Sequence, residues 1–143
     1  MAGSGEKVLA VDYGRARTGL AVSDSTGILA RPLEVVHATN CDDVRDRVLE
    51  VAAEEQVSEI VVGMPYTLRG ERGEQAQVTD QFVTTLGSGT ELNVTTFDER
   101  FTTKLAARAP SRRKRNAVKT PDDAVAAAQL LTDYLRWKND RDV

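Results

Sequence analysis

Val8-Leu9-Ala10-Val11-Asp12-Tyr13-Gly14-Arg15-Ala16-Arg17-Thr18-Gly19-Leu20-Ala21-Val22-Ser23 is the stretch on which the fold turns. Residues 8–11 are apolar at consecutive positions, as in a strand covered on both faces. Asp12 breaks that run with a carboxylate, which is costly in an apolar setting unless it is solvated, paired or bound to a cation. Gly14-Arg15-Ala16-Arg17 reads as a turn, and Thr18–Ser23 as a returning strand. Asp24-Ser25-Thr26-Gly27 makes a second turn. Ile28–His37 is a third strand, interrupted by Pro32, so it is expected at a sheet edge or with a bulge. Three strands joined by short turns form an antiparallel meander.

Beyond His37 the apolar period changes to that of a helix. Asn40 is placed to cap it, and Val44, Val48, Val51 and Ala52 share one face. Ser58–Gly63 is a short buried strand that ends at Gly63-Met64-Pro65. A second helix spans about 74–86, with Val78, Phe82, Val83 and Leu86 inward, and Gly87-Ser88-Gly89 stops it. Leu92–Phe97 is a fifth strand, ending at Asp98-Glu99-Arg100, and residues 101–108 are expected to form a short helix. Thr120-Pro121 opens a last helix, running to about Lys138, with proline in its first turn. The meander followed by strand–helix–strand crossovers predicts an α/β fold: a five-stranded mixed sheet, three antiparallel strands plus two parallel ones, flanked by helices.

The 143 residues are expected to form a single domain with a flexible N-terminus at 1–6. One cysteine, Cys41, excludes an internal disulfide, and one histidine, His37, argues against a His/Cys zinc site. No segment approaches the roughly 18 apolar residues of a membrane helix, and the N-terminus has no apolar signal core. A cytoplasmic protein without a membrane partner is the expectation. Net charge is −3, yet eight basic residues and no acid lie between Arg100 and Lys119. Such a positive segment on an acidic body is an anion footprint. Its poverty in large apolar residues predicts a mobile basic loop at 109–119. Arg112-Arg113-Lys114-Arg115 would neutralise phosphates as a clamp that orders on substrate, reading charge rather than base sequence. Aromatic residues are too few to favour stacking on single strands.

Three groups of acids end core elements. Asp12 ends the first strand, Asp98 and Glu99 end the fifth, and Asp122 and Asp123 open the last helix. Strand alternation allows only one of Asp98 and Glu99 to face a given site. Asp123, Ala127, Leu130 and Tyr134 share the helix face turned to the sheet, whereas Asp122 points about 100° away. Mg2+ takes hard oxygen ligands, and two such ions serve phosphodiester cleavage without a nucleophilic Ser, Cys or His.

From about Lys7 to Tyr134 the chain resembles the YqgF/RuvX family, described as Holliday-junction resolvases and as pre-ribosomal-RNA nucleases. Four blocks carry the resemblance: Val11–Asp24 with Ala30-Arg31-Pro32-Leu33; Ile60–Pro65 with Gly70–Ala76; Asp98–Thr103; and Asp123–Ala127 leading to Leu130-Leu131 and Tyr134-Leu135. The resemblance implies an RNase H-like fold and a Mg2+- or Mn2+-dependent nuclease acting on pre-16S rRNA, branched DNA or both. By position it implies catalytic acids at Asp12, the Asp98-Glu99 pair and Asp123. Asp12, Glu99 and Asp123 would be the metal ligands, with Glu99 preferred to Asp98. Arg15, Arg100, Lys104, Arg112, Arg113, Lys114 and Arg115 would contact nucleic acid. In many RNase H-like enzymes the second acid ends the fourth strand. Here that strand ends in Gly63-Met64-Pro65, so Glu99 must reach in from the fifth. Cutting both arms of a four-way junction would require a homodimer. The competing readings are a non-catalytic RNA-binding ribosome-assembly factor that keeps the fold and, more remotely, a nucleotide-handling module, for which one domain is too few.

Overall fold

The apolar run expected to centre the sheet does so. The computed structural model describes residues 7–65, 73–99 and 122–141, with backbone alone at 122 and 141. Strand β1 (Val8–Asp12) lies in the middle of a five-stranded sheet. Antiparallel β2 (Arg17–Ser23) pairs with it, Leu9 opposite Val22 and Asp12 opposite Gly19. Outside β2 lies antiparallel β3 (Ala30–His37). On the other side of β1 come parallel β4 (Glu59–Met64) and then parallel β5 (Asn93–Asp98). The spatial order is β3-β2-β1-β4-β5.

Side-chain alternation gives the sheet two apolar faces. Leu9, Val11, Leu20, Val22, Ile60 and Val62 face helices α1 (Cys41–Glu55) and α2 (Glu74–Gly87), which add Val44, Val48, Val51, Phe82 and Leu86. Val8, Ala10, Ala21, Val61 and Phe97 face α3 (Asp122–Arg141), which adds Ala127, Leu130, Leu131, Tyr134 and Leu135. The result is three layers, helices–sheet–helix, with β1 fully covered until Asp12.

Most local expectations hold. Asn40 caps α1, its Oδ1 accepting from the backbone N–H of Asp42 at 2.7 Å and Asp43 at 3.3 Å. β3 is an edge strand, and its pairing with β2 slips between Leu20 and Ala21, whose partners are Glu34 and Pro32, so that Leu33 is the extra residue. The proline thus sits at a bulge. β2, β4 and β5 shift by one residue and α3 runs on to Arg141, but the start of β3 differs more: Ile28 and Leu29 belong to the turn before it and are largely exposed. Asp24 Oδ1 accepts from both of their backbone N–H groups and from the Thr26 hydroxyl, so side-chain hydrogen bonds outcompete strand pairing there. The expected helix at 101–108, the N-terminal tail and the basic loop lie outside the described residues.

The far end of α3 is fastened to the sheet by a polar cluster. Glu59 accepts hydrogen bonds from the Tyr134 hydroxyl, from Lys138 Nζ at 2.8 Å and from Thr95 Oγ1 at 3.2 Å. Burial alone would raise the Glu59 carboxyl, but these donors outweigh it and hold the group below its ordinary value. Burial and then the Glu59 contact push the Tyr134 phenol upward. Tyr134→Phe leaves the ring packing on Phe97 but removes one donor from a largely buried carboxylate. It is expected to cost about 1–2 kcal/mol in urea unfolding, and an unchanged midpoint would contradict the role given to the cluster.

Candidate active site

Asp12 is the last residue of β1 and continues the Val8–Ala10 alternation, so its side chain is directed to the α3 side of the sheet. The chain turns back directly after it. A Cβ on Gly14 would stand 2.4 Å from the Arg17 carbonyl oxygen, so this tight return admits only glycine. Gly14 N–H donates to the Thr18 hydroxyl at 3.4 Å, across the same turn.

Glu99 follows β5 immediately and shares the parity of Thr95 and Phe97, the side facing α3. Asp98 has the opposite parity and stands beside Met64 in the β4–β5 register. The sequence left these two acids as alternatives, and the geometry separates them: Glu99 hydrogen-bonds Asp12. It does so across β4. A Cβ on Gly63 would lie 2.7 Å from Glu99 Oε2 and 3.1 Å from its Cγ, so the Glu99 side chain passes over the bare backbone of residue 63.

Asp123 arrives from the other flank. A Cβ on Gly19 would meet the Asp123 carbonyl oxygen at 1.9 Å and the Ala124 nitrogen at 3.0 Å, so the first turn of α3 rests directly on β2. Gly19 is the cross-strand partner of Asp12, which places this turn beside the Asp12 carboxyl. The Asp123 carboxylate forms an ion pair with Arg17, Nε to Oδ2 at 3.2 Å, and remains about a third exposed.

The electrostatics reflect this convergence. Burial first, then the Glu99 charge and hydrogen bond, then the Asp123 charge, lift the Asp12 carboxyl from 3.8 to about 7. Asp12 and Glu99 are in hydrogen-bond contact, and Asp123 is near enough to repel Asp12. Among the described residues no three acidic, histidine or cysteine side chains are drawn tightly enough to enclose an ion as they stand. The arrangement is a touching pair with a third carboxylate alongside. Its donors are all hard oxygens, the chemistry that Mg2+ and Mn2+ select, and a cation would relieve the repulsion among them.

Of the expected nucleic-acid contacts, Arg15 lies at the site's turn and makes a loose ion pair with Glu74 at 3.7 Å, both side chains largely exposed. Such a pair holds little energy and leaves the guanidinium available. Arg100, Lys104, Arg112, Arg113, Lys114 and Arg115 lie outside the described residues. His37 is exposed, and Cys41 is a free thiol near the Tyr13 hydroxyl, on the opposite side of the sheet from Asp12. Sequence reasoning missed Arg17 and the roles of Gly19 and Gly63. The available signal was that both glycines lie inside strands, where glycine weakens pairing unless something must come close.

Comparison with known proteins identifies the fold and the family. Proteins provisionally named pre-16S rRNA nucleases are similar over nearly the whole chain. That of Chloroflexus aurantiacus is 40% identical over 131 residues, covering 90% of this chain and 85% of its own. That of Rubrobacter xylanophilus is 41% identical over 130 residues, covering 90% and 91%. Among solved structures, Thermus thermophilus RuvC in complex with a Holliday junction substrate superposes with a TM-score of 0.59 at 22% identity, covering 92% of this chain and 96% of that one. The fowlpox virus Holliday junction resolvase gives 0.53 at 11%, covering 92% and 99%. These likenesses show an RNase H-like fold. The model of RuvX, a Holliday junction resolvase family, matches residues 6–137, and with that match the chain belongs to the RuvX family.

Proposed function

We propose that this chain is a divalent-metal-dependent nuclease that hydrolyses phosphodiester bonds in pre-16S rRNA, in branched DNA, or in both. Asp12, Glu99 and Asp123 would hold Mg2+ or Mn2+. The observation that carries this reading is the direct Asp12–Glu99 contact with Asp123 alongside, which raises Asp12 to about 7. Family membership and the names of the relatives supply the nucleic-acid substrate.

The bound ion would supply the Lewis acidity and the acidified water that phosphodiester hydrolysis requires. The chain's own groups do the rest. Asp12, on a central strand with neighbours on both sides, is the fixed point of the site. Glu99 brings the second carboxylate over β4, and α3 brings the third over β2. Arg17, on the solvent side of Asp123, orients that carboxylate and presents a guanidinium where a phosphate would approach. Asp98, facing the other way, takes no part.

The test is cleavage of a pre-16S rRNA fragment and of a four-way DNA junction by the purified protein with Mn2+, beside Asp12→Asn and Asp123→Asn. Cutting that both substitutions abolish supports the reading. Binding without cutting, unchanged in both variants, would point instead to a non-catalytic RNA-binding assembly factor. Paired cuts on the junction would call for two copies of the chain, whereas a cut in rRNA needs one.

The Arg112-Arg113-Lys114-Arg115 run would add contacts to the phosphate backbone. Replacing all four with Ala is expected to flatten the dependence of log K on log salt by up to about 3.6 units for duplex substrate, nearly one per lost phosphate contact. An unchanged slope would remove the clamp from the reading.

A further inference from the structure

Asp12 is flanked by glycine on both sides of the sheet. Gly19 is its partner on β2. Continuing the Val11–Val62 register by one residue puts Gly63 beside it on β4. Glycine in the interior of a buried strand sacrifices packing and backbone entropy, so two of them flanking one carboxylate call for a reason. At Gly63 the reason is specific. The space where a Cβ would sit is crossed by the Glu99 side chain, and Leu130 Cδ2 closes the remaining room at 3.2 Å. Phe97, two residues before Glu99, is the β5 partner of Gly63, so Glu99 leaves the end of β5 and folds back over β4 to reach Asp12.

We propose that Gly63 is a positioning residue for the metal site: its missing side chain is the passage through which Glu99 crosses β4 to share an ion with Asp12. This inference rests on the metal-site reading above and adds how a carboxylate from the fifth strand comes to serve a site centred on the first. An alanine methyl at 63 would push the Glu99 carboxyl outward, since Leu130 blocks the inward path. The three atoms nearest the new methyl belong to Glu99 and Leu130, so the first carboxylate to be displaced is that of Glu99.

The experiment is Mn2+ titration of the purified chain by calorimetry, for wild type, Gly63→Ala, Glu99→Gln and the double variant, with circular dichroism to confirm folding. Gly63→Ala is expected to weaken Mn2+ about 10–100-fold, in the range of losses when a ligand's support is removed. In the double variant it should add nothing to the loss from Glu99→Gln, because both changes act through the same carboxylate. Wild-type affinity in Gly63→Ala, or losses that simply add, would overturn the inference. Glu99→Asp provides a second route should Gly63→Ala fail to fold. It keeps the charge, shortens the reach by one methylene and places no new atom near β4. It is expected to lose Mn2+ affinity to a similar extent, and wild-type affinity in it would equally overturn the inference. Mn2+ binding that Asp12→Asn leaves intact would instead sink the metal-site reading itself, a result that the glycine comparison cannot produce.

Discussion

Asp12→Asn is expected to lose Mn2+-dependent cleavage by about a thousandfold or more, because a cation clamp on the reacting phosphate is worth several kcal/mol and each 1.4 kcal/mol is tenfold in rate. The same substitution is expected to make the metal-free protein more stable near neutral pH. Asp12 is raised from 3.8 to about 7 by burial, by Glu99 and by Asp123. The folded chain therefore holds a proton there that the unfolded chain has already released between those two values. Stability from this group is fully present below about pH 4, and it falls as the pH rises to about 7. Asparagine keeps the size and hydrogen bonding of the protonated acid and never ionises, so this downward slope should disappear in the variant. Thermal unfolding in chelator at pH 5 and pH 8 reads the effect. A wild type that does not lose stability between those values, relative to the variant, would contradict a raised Asp12 carboxyl. The proton also competes with a cation for Asp12, so Mn2+ affinity should weaken as the pH drops below 7.

Gly19→Ala is expected to be the most destabilising single change among those discussed. The new methyl would stand 1.9 Å from the Asp123 carbonyl oxygen and 2.4 Å from its carbon. These are backbone atoms and cannot swing aside, so α3 would have to lift from β2. That loosens Ala127, Leu130, Leu131, Tyr134 and Leu135, which together cover one face of the sheet. Overpacking of this kind costs about 1–3 kcal/mol when side chains can adjust, and displacing backbone should reach or exceed the upper end. A fall of at least about 3 kcal/mol in denaturant unfolding is the expected result. A near-wild-type midpoint would show that α3 can shift without cost, and with it that Asp123 is not held in place by this contact.

The strands and helices were readable because each one's apolar period is local. Val8–Val11 announced a doubly covered strand, and the Val44–Val48–Val51 spacing announced α1. The turn residues Ile28 and Leu29 were misread for the opposite reason. Their β-favouring side chains are overruled by a carboxylate four and five residues away, at Asp24. The site was legible only in part. Its acids could be nominated from their places at the ends of elements, and strand parity narrowed Asp98 and Glu99 to one of the two. The choice between them depends on which face of β5 meets α3, a tertiary fact set by Phe97. The passage of Glu99 over β4 was legible as a difficulty and not as a solution, because Gly63 read only as the end of the fourth strand. Arg17 read as one turn residue among several until α3 was placed over it.

The sheet order has a consequence for when such an enzyme could first act. β1 sits at the centre, but its β4 neighbour follows the whole meander and α1, and α3 follows nearly everything else. During synthesis, β1, β2 and β3 can pair as soon as they emerge, because their contacts are close in sequence. Asp12 then waits for partners the ribosome has yet to make. On the proposed assignment of Asp12, Glu99 and Asp123, a nascent chain would be harmless to the nucleic acid around it, and hydrolytic competence would come only when α3 docks.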